Sequence, residues 1–327
     1  MGGRDGAEPP DFLAIVGPTA SGKSELAVAL ARRLEGEVIS MDSRQVYRGM
    51  DIGTAKLPAA ERAGVPHHGL DLIDPGVSYS AGRFASDARG WIADIRARGR
   101  VPILVGGTGF FLRALTQPIF GEPELDPARR RALRGWLDGR ARLELERWVS
   151  ALDPDRAALA ARGGPQRVSR TLEVALLTGH PLSWWHRQQR GDVGAMSALV
   201  ARVALPRAEL DRRIELRVRA MLDAGLVDEV RGLLAAGHGA DAPGMTGVGY
   251  REIALQIGGE ITAAEAEARV VKATRAYARR QETWFRHQLP LDAVLVDGLD
   301  PLAERVERVA AEWARRAGGL PGEGGDG

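Results

Sequence analysis

Residues 17–24 read Gly17-Pro18-Thr19-Ala20-Ser21-Gly22-Lys23-Ser24, and their flanks restrict the fold more than any other stretch. An apolar run, Phe12 to Val16, precedes them and has the length of a buried strand. Behind them, Leu26, Leu30 and Leu34 recur at i, i+4 and i+8, one face of a helix. Strand, Gly-x-x-x-x-Gly-Lys-Ser, helix is the context that a P-loop requires. The glycines let successive backbone N–H groups turn onto a phosphate, and the helix N-terminus adds partial positive charge. Lys23 is expected to reach the outer phosphate and the Ser24 hydroxyl to ligate Mg²⁺. The chain should therefore bind a di- or triphosphate.

The segments after the loop set the fold class. Glu37 to Met41 reads as a second buried strand, and Leu70 to Ile73 as a brief strand inside a loop. Phe84, Ala88, Trp91 and Ile95 recur at helical spacing, and Val101 to Val105 forms another strand. This alternation predicts an α/β fold, a P-loop NTPase-like doubly wound parallel sheet. The strand at 101–105 runs into Gly106-Gly107-Thr108-Gly109, where many P-loop NTPases place an acid that helps to hold Mg²⁺. Asp42, at the tip of the second strand, is the carboxylate left beside the phosphate loop. Ligands of open α/β sheets sit at the carboxyl ends of strands, so Asp42, Thr108 and the P-loop should converge on one crevice.

From residue 126 the texture turns Arg- and Ala-rich, and residues 126–195 are expected to be an all-helical insertion between core segments 11–125 and 196–317. The tails, 1–10 and 318–327, are expected to be disordered. Gln166 to Arg170 begins an insertion helix with groups suited to phosphate and base contacts. Ala198 to Leu205 returns to a strand. Arg213 and Arg217 lie at i and i+4 on the next helix, where they could form an anion clamp. Gly244 to Glu252 reads as a loop needing close backbone approach. Thr262-x-x-Glu265 is a capping box that opens a long helix to about Gln288. On that helix Lys272, Arg275, Arg279 and Arg286 share a face opposite Tyr277, Gln281 and Trp284. A last strand is expected at 293–296 and a last helix at 301–316.

Composition closes several routes. Without cysteine there are no disulfides, thiolate metal sites or cysteine nucleophiles. The six histidines lack metal-ligand spacing, and His67-His68 reads as a structural pair. The net charge of +2 is a weak nucleic-acid signal. Lys23, Lys56 and Lys272 are the only lysines among 45 basic residues. That bias fits a GC-rich genome and makes each retained lysine informative. No run has the length of a membrane span and the N-terminus lacks an apolar signal core, so a cytoplasmic, monomeric protein is expected.

Taken together, the Gly17–Ser24 loop, Asp42 to Lys56, Gly106 to Gly109, Gln166 to Arg170, Gly247 to Arg251 and Arg280-Gln281-x-Thr283-Trp284-Phe285-Arg286 resemble the bacterial tRNA dimethylallyltransferases. The block at 42–56 and the Arg-Gln-x-Thr-Trp element are the most specific of these. The resemblance implies transfer of a dimethylallyl group from dimethylallyl diphosphate to N6 of adenosine 37, beside the tRNA anticodon. It makes residues 17–24 the diphosphate site, Asp42 the base that accepts the N6 proton, Thr108 a contact to the adenine or leaving group, and Arg217 a diphosphate contact. It assigns tRNA contacts to Asp42, Ser43, Arg44, Gln45, Thr108 and Arg130. The same applies to Gln166, Arg167, Val168, Ser169 and Arg170, and to Thr246, Gly247, Val248, Gly249, Tyr250 and Arg251. On the long helix it assigns them to Arg279, Arg280, Gln281, Thr283, Trp284 and Arg286. The target adenine is expected to flip out of its stack into a channel between sheet and insertion. Ser24 stands where many relatives have Thr, Phe111 where Tyr is frequent, and Thr246 where some have Arg.

Three other readings are compatible with a P-loop. A small-molecule kinase would use Asp42 to activate a hydroxyl, but leaves the insertion and the basic helix without a purpose. A prenyltransferase acting on free AMP leaves the RNA-contacting segments unexplained. An RNA-binding regulator would not need an intact set of Lys23, Ser24 and Asp42.

Overall fold

The computed structural model describes residues 9–117, 123, 125–188 and 194–318. The chain divides into two compact units, one of Met1–Gln117 with Ala195–Gly327 and the other Pro118–Gly194. The expected disordered tails lie almost wholly outside the described residues.

In the first unit, β1 (Phe12–Val16) leads through the P-loop into α1 (Lys23–Arg33), and β2 (Glu37–Ser40), β3 (His67–His68), α2 (Ala81–Ala97), β4 (Pro102–Gly106) and α3 (Gly109–Thr116) come next. The second unit holds α4 (Pro127–Asp138), α5 (Arg142–Leu152), α6 (Ala157–Arg162), α7 (Pro165–Thr178) and α8 (Leu182–Gln188), with no strand among its described residues. The first unit resumes with β5 (Ala198–Ala204), α9 (Arg207–Asp223), α10 (Leu226–Ala235), α11 (Tyr250–Ile257), α12 (Ala263–Gln288), β6 (Val294–Asp297) and α13 (Leu302–Ala317).

The strands form one sheet in the order β3-β2-β4-β1-β5-β6, and every pairing is parallel. This is the doubly wound sheet expected from the alternation of elements. On one side of β1 the chain lays down β2, then β3 outside it, and returns to insert β4 beside β1; it then crosses to the other side for β5 and β6. The order therefore reverses at β1, and the carboxyl end of β1 is the switch point where such sheets bind ligands. β1 and β4 are buried at every position, which is why both read as unbroken apolar runs and not as alternations.

Local differences have local causes. The brief strand falls at His67–His68 and not at 70–73, because Gly69 turns the backbone at φ 80° against Ser40. Ile73 keeps a single parallel bridge to Tyr47. His68 meets the buried Glu37 carboxylate at 2.7 Å, a structural use of the histidine pair. α11 begins inside the segment read as a loop, since the Glu252 carboxylate folds back 2.9 Å onto the Gly249 N–H. The capping box of Thr262 and Glu265 opens α12 where the sequence places it.

Candidate active site

Because all six strands are parallel, β1, β2 and β4 deliver their carboxyl ends to one edge. β1 delivers the P-loop. Ala20 at φ 63° and Gly22 at φ 83° place left-handed turns in the loop, the conformation that aims consecutive amides at an anion. β2 delivers Asp42, whose Oδ1 accepts from the Arg44 N–H at 2.8 Å. β4 delivers Gly106 to Gly109. A side chain at Gly106 would collide with the Met41 backbone, and one at Gly107 with the Gln281 amide. The missing acid at the tip of β4 thus has a steric cause: β2 and β4 approach too closely there.

These tips line a cavity of about 280 Å³. Thr19, Lys23, Ser24, Asp42 and Arg217 supply its polar wall, and Val218, Met221, Leu226, Val248 and Val270 its apolar one. Burial, with Arg217 nearby, lowers the Lys23 ammonium to about pKa 8 against the opposing pull of Asp42. Burial also lowers Arg217, again opposed by Asp42. Two cations therefore face one carboxylate in a poorly solvated space, a net positive site that an anion would relieve.

Several residues hold this arrangement in place. Gln281 of α12 is 6% exposed; its Oε1 accepts from the Thr19 N–H at 2.9 Å and its Nε2 donates to the Gly107 carbonyl at 3.0 Å. Thr108 accepts from the Ser43 N–H at 3.2 Å and hydrogen-bonds Tyr277. Burial first, then Asp42, raises the Tyr277 phenol to about 12, so it stays a neutral hydroxyl beside Asp42. Glu229 of α10 accepts from the N–H groups of Asp51, Ile52 and Gly53 at 2.6–3.0 Å and from the Tyr250 hydroxyl at 2.6 Å. One carboxylate so joins the 42–56 segment to the 244–250 segment, both of which line the cavity. Lys56, buried, pins the same segment through Asp51 at 2.5 Å and Asp71 at 2.6 Å. Neither Glu229 nor Tyr277 carries a sequence signal as a site residue, since each acts on groups remote along the chain.

The expected tRNA contacts separate into exposed groups and internal braces. Arg251, Arg279, Arg280, Thr283 and Arg286 are exposed or half-buried at the surface, and Arg280 lies over the Tyr277 ring at 5.7 Å. Thr246 is exposed with its hydroxyl on the Pro243 carbonyl at 2.8 Å. Gly247, Val248 and Gly249 line the cavity wall. Tyr250 is 1% exposed, with its ring in the core and one side of it on the cavity wall. The Gln45 amide is held by Ser40, Thr54 and Ala55, and the Arg44 guanidinium by the Pro243 carbonyl at 2.5 Å. Trp284 packs on Gly109, which explains that glycine. Arg275, expected on the basic face of α12, instead pairs with Glu215 of α9 at 2.5 Å. Arg213, expected beside Arg217, pairs with Glu209 at 2.6 Å and does not line the cavity.

In the second unit Gln166 and Arg167 are exposed and Ser169 is half-buried in the first turns of α7. Val168 is 1% exposed in that unit's core, which corrects its expected contact role. Arg130, Arg134 and Arg170 surround the fully buried Glu173 carboxylate at 2.9, 2.8 and 3.5 Å. The one carboxylate thereby orders three guanidiniums at one place.

The IPP transferase family model matches residues 45–288, and an isopentenyl transferase model matches residues 10–66. The tRNA dimethylallyltransferase of Methylibium petroleiphilum is 48% identical over 303 residues, covering 90% of this chain and 92% of its own. That of Stenotrophomonas maltophilia K279a is 46% identical over 295 residues, covering 86% and 90%. Among solved structures, the tRNA isopentenylpyrophosphate transferase of Bacillus halodurans is 36% identical with a TM-score of 0.68, covering 95% of this chain and 99% of its own. A eukaryotic dimethylallyltransferase acting on tRNA is 26% identical with a TM-score of 0.75, covering 94% and 77%.

The Gln281 brace and the depressed Lys23 each predict a measurable outcome. Gln281→Leu leaves the Thr19 N–H and Gly107 carbonyl unpaired, which should lower stability by about 1–3 kcal/mol and weaken diphosphate binding. Loss of RNA affinity alone, with stability and diphosphate binding unchanged, would identify Gln281 as an RNA contact. Lys23 should make diphosphate affinity pH-dependent. A bound anion favours the ammonium, so affinity should be flat below about pH 8 and fall as Lys23 deprotonates above it. Calorimetric titration across that range should show the break in the native chain and none in Lys23→Met.

Proposed function

The chain belongs to the IPP transferase family, and we propose that it transfers a dimethylallyl group from dimethylallyl diphosphate to N6 of adenosine 37 in tRNA, releasing diphosphate. The observation that carries this reading is the composition of one cavity. Its phosphate loop and two cations suit a diphosphate, its apolar wall suits a small branched hydrocarbon, and Asp42, near both cations, suits a proton acceptor.

The adenine amine is a weak nucleophile because its lone pair is delocalised into the ring. The allylic C1 becomes a good electrophile only as charge on the departing diphosphate is neutralised. In the reaction N6 bonds to C1, the C1–O bond breaks, the diphosphate leaves with the electron pair, and the N6 proton passes to the Asp42 carboxylate. P-loop amides, Lys23 and Arg217 stabilise the leaving charge; losing one such donor typically costs about 10²–10³ in rate. Thr108 fixes the Asp42–Ser43 turn through the Ser43 N–H, and Tyr277, bonded to Thr108, holds its hydroxyl at the cavity wall. The Ser24 hydroxyl lines the same wall. It is a hard oxygen donor that, with diphosphate oxygens and water, suits Mg²⁺. Such an ion would add positive charge to the leaving group. Surface residues Arg251, Arg279, Arg280 and Arg286, and the arginines around Glu173, are the groups we assign to the tRNA backbone, with salt-sensitive affinity. A target base has to leave its stack to reach a cavity of this kind. No helix among the described residues is long and apolar enough to cross a membrane.

Incubation with labelled dimethylallyl diphosphate or labelled ATP, and with tRNA or AMP, distinguishes the readings. Label should enter tRNA, and only from the prenyl donor; phosphoryl transfer without prenylated RNA would overturn the proposal. In the same assay Asp42→Ala should slow turnover by about 10²–10⁴ while tRNA binding stays nearly intact. Collapsed binding with normal turnover of the bound complex would instead make Asp42 an RNA contact.

A further inference from the structure

Two phenylalanines stand side by side at the start of α3, and the fold uses only one of them. Phe111 is 4% exposed and stacks on Phe84 of α2, with ring centroids 4.3 Å apart and planes 13° from parallel. Phe110 turns outward and is 58% exposed. Among the described residues of the first unit, no other Phe, Tyr or Trp is exposed. Arg113, one turn on, brings its guanidinium to 6.0 Å from the Phe110 centroid, the outer limit of a cation–π contact, and the ring stays open to solvent. A lone exposed apolar side chain is ordinary; its place is what gives this one a use.

α3 follows β4, so its first turn lies at the carboxyl edge of the sheet, the edge that carries the cavity. Phe110 is two residues beyond Thr108, which holds the Asp42–Ser43 turn through the Ser43 N–H at 3.2 Å. Its other neighbour in the chain, Gly109, has no side chain, and Trp284 of α12 packs into the space that a Cβ would take. Trp284 stands one helical turn from Arg280, which is exposed and lines the cavity. Thr283 and Arg286, close by on α12, are exposed as well. Phe110 therefore adjoins both the cavity rim and the part of α12 assigned to RNA.

A base that flips out for reaction uncovers one face on each of its two neighbours. An exposed aromatic ring replaces that stacking whichever base it meets, because every base has a π-face. We propose that Phe110 is the platform on which one of the two bases flanking the target adenosine stacks once the target has entered the cavity. The inference rests on the RNA-prenylating function proposed for that cavity. A platform at the rim opposes return of the target to its stack. It also fixes the RNA beside the reacting carbon, where contacts to the backbone alone would leave the loop free to shift.

The test is equilibrium binding of three anticodon stem-loop RNAs, one intact and one abasic at each neighbour of the target, to the full chain and to Phe110→Ala and Phe110→Trp. Phe110→Ala should weaken binding of the intact RNA about 5- to 150-fold, the range for one base–aromatic stack. Dimethylallyl diphosphate affinity and the melting temperature should stay unchanged, since the ring is exposed. Tryptophan should preserve RNA affinity. One abasic RNA should bind the native chain with a similar loss and lose less than about two-fold more in Phe110→Ala, whereas the other should show the full effect of the substitution. Unchanged affinity of Phe110→Ala for the intact RNA, or the same loss for all three RNAs, would overturn the platform. Coupled binding of this kind in a chain that transfers no prenyl group to tRNA would overturn the proposed reaction and leave the platform standing.

Discussion

The site depends on one buried amide. Gln281 projects from α12 between the P-loop and the end of β4, accepting from Thr19 and donating to Gly107. A P-loop binds through backbone N–H groups, so its affinity depends on backbone position more than on any side chain. Gln281 fixes that position from a residue 262 places away in sequence. It also explains Gly107, since any side chain there would displace the amide. The brace and the glycine are one device, and it makes α12 part of the phosphate site.

A second device does the same for the acceptor side. The 42–56 segment carries Asp42 but contains little regular structure, so its conformation has to be imposed. Glu229 takes three of its backbone N–H groups, and Lys56 fastens it through two aspartates. The Tyr250 hydroxyl shares Glu229, which couples the segment to the glycine-rich wall at 244–250. Charged groups are tolerated here because each is fully engaged, and engagement of this kind restricts the loop to one geometry. Lys23 and Arg217 differ: their burial is only partly balanced by Asp42, so the charge they lack is the one a diphosphate brings.

Much of this architecture is legible in the sequence, and the reason is local. Strand length, helical period, the P-loop and the capping box are encoded within about ten residues, so β1, α1, β4, β5 and α12 fall where those patterns put them. Asp42, Lys23 and Ser24 reach one cavity because parallel strands bring their carboxyl ends to one edge, and Arg217 reaches it from α9. The features that stay hidden are long-range and polar. A glutamate that caps three amides looks like any surface glutamate in sequence, and Gln281 sits in a motif whose exposed neighbours disguise a buried role. The same disguise applies to Val168: motif membership puts it among RNA contacts, whereas burial makes it the support for an exposed neighbour, Arg167.

The glycine at the end of β4 links these observations to the chemistry. An acid at that strand tip would place a second carboxylate beside the phosphate, as nucleotide hydrolases do to hold a metal ion. Here Gly106 abuts the Met41 backbone so closely that no side chain fits. Asp42, one residue beyond Met41, lines the cavity in its place. Among the described residues, the only carboxylate lining the cavity is then the one on the acceptor side, near Lys23 and Arg217. A carboxylate there can take up the proton that N6 must lose, whereas one at the β4 tip would serve the phosphate side alone. The packing of two strand ends therefore separates a P-loop that cradles a leaving group from one that hydrolyses its ligand.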